Sequence, residues 1–173
     1  MPQRFSRWTT NRRSHQVWIA FQHAVEHEMK GEAINMSEAE KALRRYWYEE
    51  VVNKGNIDLM DQVLGPGYLY HGPSDARIDG IDGLKGALRQ VLAAFPDISA
   101  TVKEIVAEGN IVATRLTISA HHNGPYMGIP ATGKPVTFEL TNFARFISGK
   151  IVEDWDNYDQ LAIFRQIGAV PLG

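Results

Sequence analysis

Two acidic residues near the end of the chain, Asp154 and Asp156, are spaced so that they could share acid–base chemistry. They occur in "KIVEDWDNYDQL" (150–161), whose apolar start reads as a strand that runs out into a helix. Alternate side chains of a strand point to the same face. If this segment is a strand, one face carries Val152, Asp154 and Asp156, and the other carries Ile151, Glu153 and Trp155.

The chemistry of these two aspartates depends on what their face meets. In an apolar cavity, burial and the neighbouring like charge would raise the pKa of a carboxylate. Such a group can take a proton from carbon and return one to oxygen. Two alternatives stay open: both acids face water at the end of the strand, or Asp156 caps the final helix.

Residues 135–147 predict a long strand that could complete the same site. One of its faces is apolar except for a single amide, and it could line a pocket or belong to the core. If the Val152 face continues this face, both aspartates point into an apolar cavity. The alternation separates Val136, Phe138, Leu140, Asn142, Ala144 and Phe146 from Thr137, Glu139, Thr141, Phe143, Arg145 and Ile147.

The histidines are further candidates. His121 and His122 are adjacent on a predicted strand, so they face opposite ways and cannot both ligate one metal, although one could point inward. His71 ends a short apolar strand before a Gly-Pro pair, and it could lie at a pocket rim or in an ordinary turn. "HAVEH" (23–27) matches a short zinc signature without an identified third ligand, so we predict a solvated helix face and no metal site.

Several classes of function are disfavoured by composition and motifs. The chain has 173 residues, 44% of them hydrophobic, no cysteine and a net charge of −2. Cysteine chemistry is therefore excluded, and the charge argues against a nucleic-acid partner. We find no phosphate-binding glycine loop, no serine-hydrolase elbow and no apolar run of membrane-spanning length. We expect no membrane association and a cytoplasmic location.

The chain divides into an extension, residues 1–36, and a main domain, residues 37–173. The extension predicts a loose basic arm and a helix that begins near Ser14. Its acid-free, arginine-rich start also resembles an organelle transit peptide. The main domain predicts a first helix with a capping box of Ser37 and Glu40, closed by Gly55.

Helices precede strands in the main domain, which predicts an α+β fold. Predicted helices at 57–64 and 81–95 flank a short strand at 68–71. After Pro96 the apolar period changes from that of a helix to that of a strand. Four long strands then follow at 98–107, 110–122, 135–147 and 150–156, and a short helix at 159–167 ends at Gly168.

The C-terminal part resembles the SnoaL-like polyketide cyclases, within the NTF2-like/ketosteroid-isomerase-like superfamily. The resemblance lies in "HNG" (122–124), "MGIPATGK" (127–134), "FARF" (143–146), "GKIVEDWD" (149–156) and "LAIFRQIG" (161–168), with "YLYHGP" (68–73) and "AAFPDI" (93–98). It covers about residues 37–170. It implies a cone-shaped α+β barrel, in which a curved antiparallel sheet wraps around N-terminal helices, usually as a homodimer or higher homo-oligomer.

The resemblance also implies a reaction and a site. Characterised members close a ring of a polyketide ester by an intramolecular aldol step, without metal or cofactor. The family's acid/base aspartate falls on Asp156. Leu140, Asn142 and Asp154 would lie beside it, and His122 and His71 would lie nearer the mouth. Asn142 and His122 would hold or polarise carbonyl oxygens of the substrate. Tyr70, Phe138, Leu140 and either Trp155 or Met127 would form apolar walls around a small hydrophobic carbonyl compound.

Two other functions fit the same pattern. The fold could serve as a non-catalytic module that binds a small ligand or forms a dimer. It could also add water to a substrate, as epoxide hydrolases of this superfamily do, with an Asp, an Arg and an Asn around the water. For that reaction Arg145 is poorly placed, because it falls on the face opposite Asn142.

Overall fold

The computed structural model describes residues 36–170, together with Ile19. The predicted arm, the helix from Ser14 and the "HAVEH" segment lie outside the described residues. The arginine-rich start that resembles a transit peptide also lies outside them, apart from Ile19. Residues 171–173 lie outside them as well. Within residues 36–170, helices and one sheet form the predicted α+β architecture.

The first helix carries the apolar stripe that the spacing predicts. Helix α1 (Met36–Tyr46) continues directly into a π-helical segment, Trp47–Val52. Leu43, Tyr46, Trp47 and Val51 are all buried. The predicted capping box is wrong, because Met36 is already helical and Ser37 therefore lies inside the helix. Gly55 follows the segment with a positive φ of 68°.

Short elements connect this helix to the next one. A 3₁₀ turn (Ile57–Leu59) and helix α2 (Met60–Val63) occupy the region of the predicted second helix. Strand β1 (Leu64–His71) begins earlier than predicted, and after a 3₁₀ turn (Pro73–Asp75) the short strand β2 (Arg77–Asp79) pairs with it. Helix α3 (Gly80–Ala94) then packs on β1.

Four long strands follow and form most of the sheet. They are β3 (Ser99–Glu108), β4 (Ile111–His121), β5 (Pro135–Ile147) and β6 (Lys150–Tyr158), and each pairs antiparallel with the next. β6 also pairs parallel with β1, which gives six strands in the order β2-β1-β6-β5-β4-β3. The helices cover one face of this curved, open sheet.

An irregularity in β6 corrects one predicted face. Arg145 pairs with Glu153 but Phe146 pairs with Ile151, so Val152 is an extra residue in β6. Such a bulge shifts the alternation by one position. Ile151 is therefore completely buried, whereas the alternation had placed it opposite the aspartates. Beyond the bulge the prediction is confirmed, because Asp154 pairs with Ala144 and Asp156 with Asn142.

The last helix, α4 (Gln160–Ile167), is capped at both ends. Asp159 accepts a hydrogen bond of 2.9 Å from the backbone N–H of Ala162, so Asp159 and not Asp156 is the N-cap. Gly168 ends the helix in the left-handed conformation, as predicted. Within the described part of the chain, no helix is both long and apolar enough to cross a bilayer.

Candidate active site

A cavity of about 650 Å³ lies between the helices and the inner face of the sheet. Its walls are mainly apolar side chains of α3, β4 and β5, such as Leu88, Leu116 and Phe138. Some lining residues are also exposed. Four of them mark a mouth between the second half of α3 and the loop 123–134: Gln90, Ala93, Pro125 and Met127. Such a cavity can enclose a hydrophobic molecule of small-drug size.

Polar side chains meet at one end of the cavity around Asp154. This carboxylate is 2% exposed and forms an ion pair with the buried Arg44, with Arg44 Nη2 at 3.2 Å from Oδ1. Tyr68 donates its hydroxyl at 2.8 Å and Asn142 donates Nδ2 at 2.9 Å. Both oxygens of Asp154 are therefore occupied by donors, which fits a structural carboxylate better than a base.

Asp156 has fewer partners and borders the cavity. Asn142 Nδ2 donates to Oδ1 at 2.8 Å, and the hydroxyl of Tyr70 donates to Oδ2 at 3.2 Å. Burial, followed by the charge of Asp154, raises the pKa of Asp156 to about 6, although Arg44 and the two hydrogen bonds act against the rise. Asp156 is therefore a carboxylate whose proton affinity suits a general base near neutral pH.

Asn142 holds the two carboxylates in position. It is completely buried, and its Nδ2 group directs one N–H to each aspartate. The opposite amide orientation would direct Oδ1 at two carboxylates, so the assignment is fixed by charge. Asn142 supports the site from behind and does not line the cavity.

Tyr48 brings a polarised hydroxyl to the same end. Arg44 Nη2 donates to the Tyr48 hydroxyl at 2.8 Å, and both residues line the cavity. Because Tyr48 accepts from a cation, its own hydrogen is available to a ligand oxygen. Burial raises the pKa of Tyr48, so the phenol keeps this hydrogen at neutral pH.

Arg44, Tyr48 and Tyr68 were missed by the sequence reasoning. Arg44 and Tyr48 are four residues apart on the predicted first helix, next to the apolar positions Leu43 and Trp47. A charged residue inside a buried stripe is the signal that could have identified Arg44. The π-helical segment begins at Trp47 and includes Tyr48, and such segments are frequent at functional sites.

The structure brings most of the predicted site residues together. Tyr70, Phe138, Leu140 and Met127 line the cavity with the two aspartates. Met127, 65% exposed and with a positive φ of 48°, forms the tip of the loop at the mouth.

Two predicted site residues lie on the other side of the sheet. Trp155 and His71 stack with ring centroids 5.3 Å apart, and Arg145 lies 5.3 Å from the Trp155 ring. His71 Nε2 pairs with Glu153 at 2.9 Å. The prediction that His71 and Trp155 line the pocket is wrong. Neither residue lines the cavity, and the β1–β6 pairing places both on the outer face of the sheet.

His122 is buried but fixes a loop and does not line the cavity. Its ring Nδ1 lies 3.0 Å from Thr132 Oγ1. Its backbone N–H donates to the Lys134 carbonyl, and its backbone carbonyl accepts from the N–H groups of Thr132 and Gly133. His121 points outward to Asp97, as the alternation predicts. His122 therefore closes the stem of the loop 123–134, which contributes Tyr126 and Met127 to the mouth.

Comparisons with known proteins agree with this fold. The family model for SnoaL-like polyketide cyclases matches residues 42–167. The chain belongs to the SnoaL-like polyketide cyclase family. This SnoaL-like protein is 31% identical over 126 residues to the aklanonic acid methyl ester cyclase DauD of Streptomyces sp. (strain C5). The aligned region covers 69% of this chain and 76% of DauD.

Two further proteins are similar. The aklanonic acid methyl ester cyclase DnrD of Streptomyces peucetius is 32% identical over 126 residues, or 69% of this chain and 84% of DnrD. Among solved structures, the proposed hydroxylase AclR of Streptomyces galilaeus superposes with a TM-score of 0.70 at 29% identity, over 78% of this chain and 99% of AclR. The SnoaL-like assignment supports a polyketide cyclase type of enzyme, and the named relatives differ in the activities given for them.

Proposed function

We propose that this SnoaL-like protein closes a ring in a hydrophobic polyketide ester by an intramolecular aldol reaction. Asp156 removes a proton α to a carbonyl, the resulting enolate carbon attacks a second carbonyl, and the alkoxide takes the proton back from Asp156. The observation that carries the proposal is the position of the Asp156 carboxylate at the polar end of an apolar cavity, where burial raises its pKa to about 6. No oxidant or external nucleophile is consumed.

The donors for the enolate differ from those expected from the sequence. Both N–H groups of Asn142 donate to carboxylates, and neither Asn142 nor His122 lines the cavity, so neither is placed to polarise a substrate oxygen. We assign this role to Tyr48, whose hydroxyl is polarised by Arg44. A donor aimed at developing negative charge in a site shielded from water is worth about 10²–10³ in rate.

The reaction type can be tested by mass. Aklanonic acid methyl ester, the substrate named for the two cyclase relatives, is incubated with the protein. Aldol closure yields an isomer that has the same mass as the ester and a different retention time. A new product that has gained or lost atoms would contradict the proposed closure.

Asp156 is tested within the same assay. Asp156→Asn should abolish turnover and leave binding of the ester nearly intact. Glu153→Gln is the matched control, because Glu153 is an acid of the same strand that bonds His71 and Arg145 on the outer face. Turnover that survives in Asp156→Asn would remove Asp156 from this role.

One observation favours water addition as a second candidate. Arg145 is on the outer face, as expected, but Arg44 supplies an inward arginine beside Asp154 and Asn142. Water addition would increase the product mass by one water and would incorporate oxygen-18 from labelled water. Binding of the ester without any conversion would instead support the non-catalytic module.

We also propose that the outer face of the sheet binds a second copy of the chain. Val106, Ala113, Phe143 and Trp155 form one row across four strands, and Val106 and Phe143 are 63% and 47% exposed. Acidic and basic side chains flank this row, so the charges of one copy can complement those of the other in a two-fold dimer. Analytical ultracentrifugation of Phe143→Glu should show a monomer; a wild-type monomer would contradict the proposal.

A further inference from the structure

A second pair of hydroxyl groups lines the cavity away from the Arg44–Asp154 end. Tyr158 is the last residue of β6 and follows Asp156 by two positions, so both side chains point inward. Tyr126 comes from the loop 123–134 and also lines the cavity. The remaining wall around them is largely apolar, with Phe138 on the sheet and Ile163 on α4.

The two tyrosines are held firmly. The Tyr158 ring lies 5.3 Å from that of Phe138, and the Tyr126 ring lies 5.1 Å from Phe95 and 6.1 Å from Phe164. Tyr126 and Ile129 also exchange two backbone hydrogen bonds, 3.0 and 2.9 Å, which close a tight turn. Both side chains therefore reach the cavity from fixed positions.

Tyr158 keeps its phenolic hydrogen. Burial, followed by the neighbouring Tyr126 and the charge of Asp156, raises the pKa of Tyr158, so it stays a neutral phenol at physiological pH. A phenol can both donate and accept a hydrogen bond, so each of the two residues can bond a ligand oxygen.

We propose that the Tyr158–Tyr126 pair hydrogen bonds a phenol or carbonyl oxygen of the substrate remote from its reacting carbons, and thereby determines its orientation. The inference rests on the proposed function. A flat, fused-ring molecule fits an apolar cavity in more than one orientation. Positions Asp156 and Tyr158 are about 7 Å apart along the strand, so two polar contacts select one orientation.

A structural explanation competes with this one. The two tyrosines could simply hold the loop 123–134 against β6. In that case, loss of either hydroxyl has the same effect, and both single variants and the double variant behave alike. As a substrate contact, Tyr158 contributes more than Tyr126, because it projects from the strand that carries Asp156 and not from a loop.

The experiment compares Tyr158→Phe, Tyr126→Phe and the double variant in steady-state turnover of aklanonic acid methyl ester. All three retain the aromatic rings, and thermal unfolding checks that they fold. We expect Tyr158→Phe to raise KM about fivefold with a smaller change in kcat, because a lost hydrogen bond is worth about 1 kcal/mol. Tyr126→Phe should raise KM about threefold or less, since the Tyr158 hydroxyl stays in place.

Substrate analogues identify the contact. Among derivatives of the ester that each lack one oxygen remote from the reacting carbons, one should bind wild type and Tyr158→Phe with equal affinity. Equal losses in both single variants and the double variant, or a Tyr158→Phe KM equal to that of wild type, would overturn this inference alone. Failure of the wild-type protein to bind or convert the ester would contradict the proposed function as well.

Discussion

Replacing Asp156 by asparagine should make the protein more stable and inactive at the same time. In the folded protein the pKa of Asp156 is about 6, against an ordinary value of 3.8. The folded state therefore binds more protons than the unfolded chain between these pH values, and stability from this group is lost as the pH rises through about 6. At neutral pH and above, the ionised carboxylate costs about 2–3 kcal/mol of unfolding free energy, at about 1.4 kcal/mol per pKa unit.

The amide in Asp156→Asn removes this cost and can keep both hydrogen bonds. Its oxygen can accept from Asn142, and its NH₂ group can donate to the Tyr70 hydroxyl. Urea unfolding of the variant and the wild type should therefore differ by about 2 kcal/mol near pH 8 in favour of the variant, and by little near pH 4. Taking the difference at each pH cancels the titration of more distant groups.

Two outcomes would refute this reasoning. A variant that is less stable than wild type near pH 8 would mean that the ionised carboxylate is net stabilising through Arg44, Asn142 and Tyr70. A difference that is independent of pH would mean that the pKa of Asp156 is not raised. In either case Asp156 would lack the proton affinity on which the proposed catalysis depends.

Three further predictions concern the base, its buried ion pair and two glycines. The rate constant kcat/KM should rise with pH through about 6 and level off above it, because the base must be ionised; a rate that falls over this range would contradict the role of Asp156. Arg44→Met should lower the unfolding free energy by about 3–5 kcal/mol in urea titrations, because Asp154 keeps a buried charge without its cation, and Asp154→Asn in that background should restore part of it. Gly124→Ala should lower the unfolding free energy by about 1–3 kcal/mol, since the new Cβ would clash with the Ala93 carbonyl oxygen. Gly86→Ala, which has open space on helix α3, should raise the unfolding free energy by up to about 1 kcal/mol.

The fold was largely predictable because its periodicities are clean. The change of period after Pro96 and the glycine turns around Gly109 and Gly149 define four strands to within about two residues. The bulge at Val152 was not predictable, since one extra residue in a strand leaves the local pattern nearly unchanged. Its effect is confined to Ile151 and Val152, so the faces of Asp154 and Asp156 were still assigned correctly.

The site was predictable only where its residues share the sheet. Asn142, Asp154 and Asp156 follow from alternation on two adjacent strands. Arg44 and Tyr48 come from a helix that crosses the sheet, and no spacing along the chain reveals which strand residues a helix meets. His71 was misplaced because its face depends on the parallel pairing of β1 with β6. Trp155 was misplaced against the alternation of β6, which already put it on the face opposite Asp154 and Asp156.

The two aspartates receive different roles from their surroundings. Asp154 has Arg44, Tyr68 and Asn142 on its two oxygens, so this carboxylate is held in one position. The charge of Asp154 is one of the two causes that raise the pKa of Asp156, the other being burial. Arg44 thus acts in two ways at this site: it pairs with Asp154, whose charge raises the pKa of Asp156, and its own charge lowers that pKa. Neutralising Asp154 alone should therefore leave Arg44 uncompensated and weaken Asp156 as a base, although Asp154 touches no reacting atom.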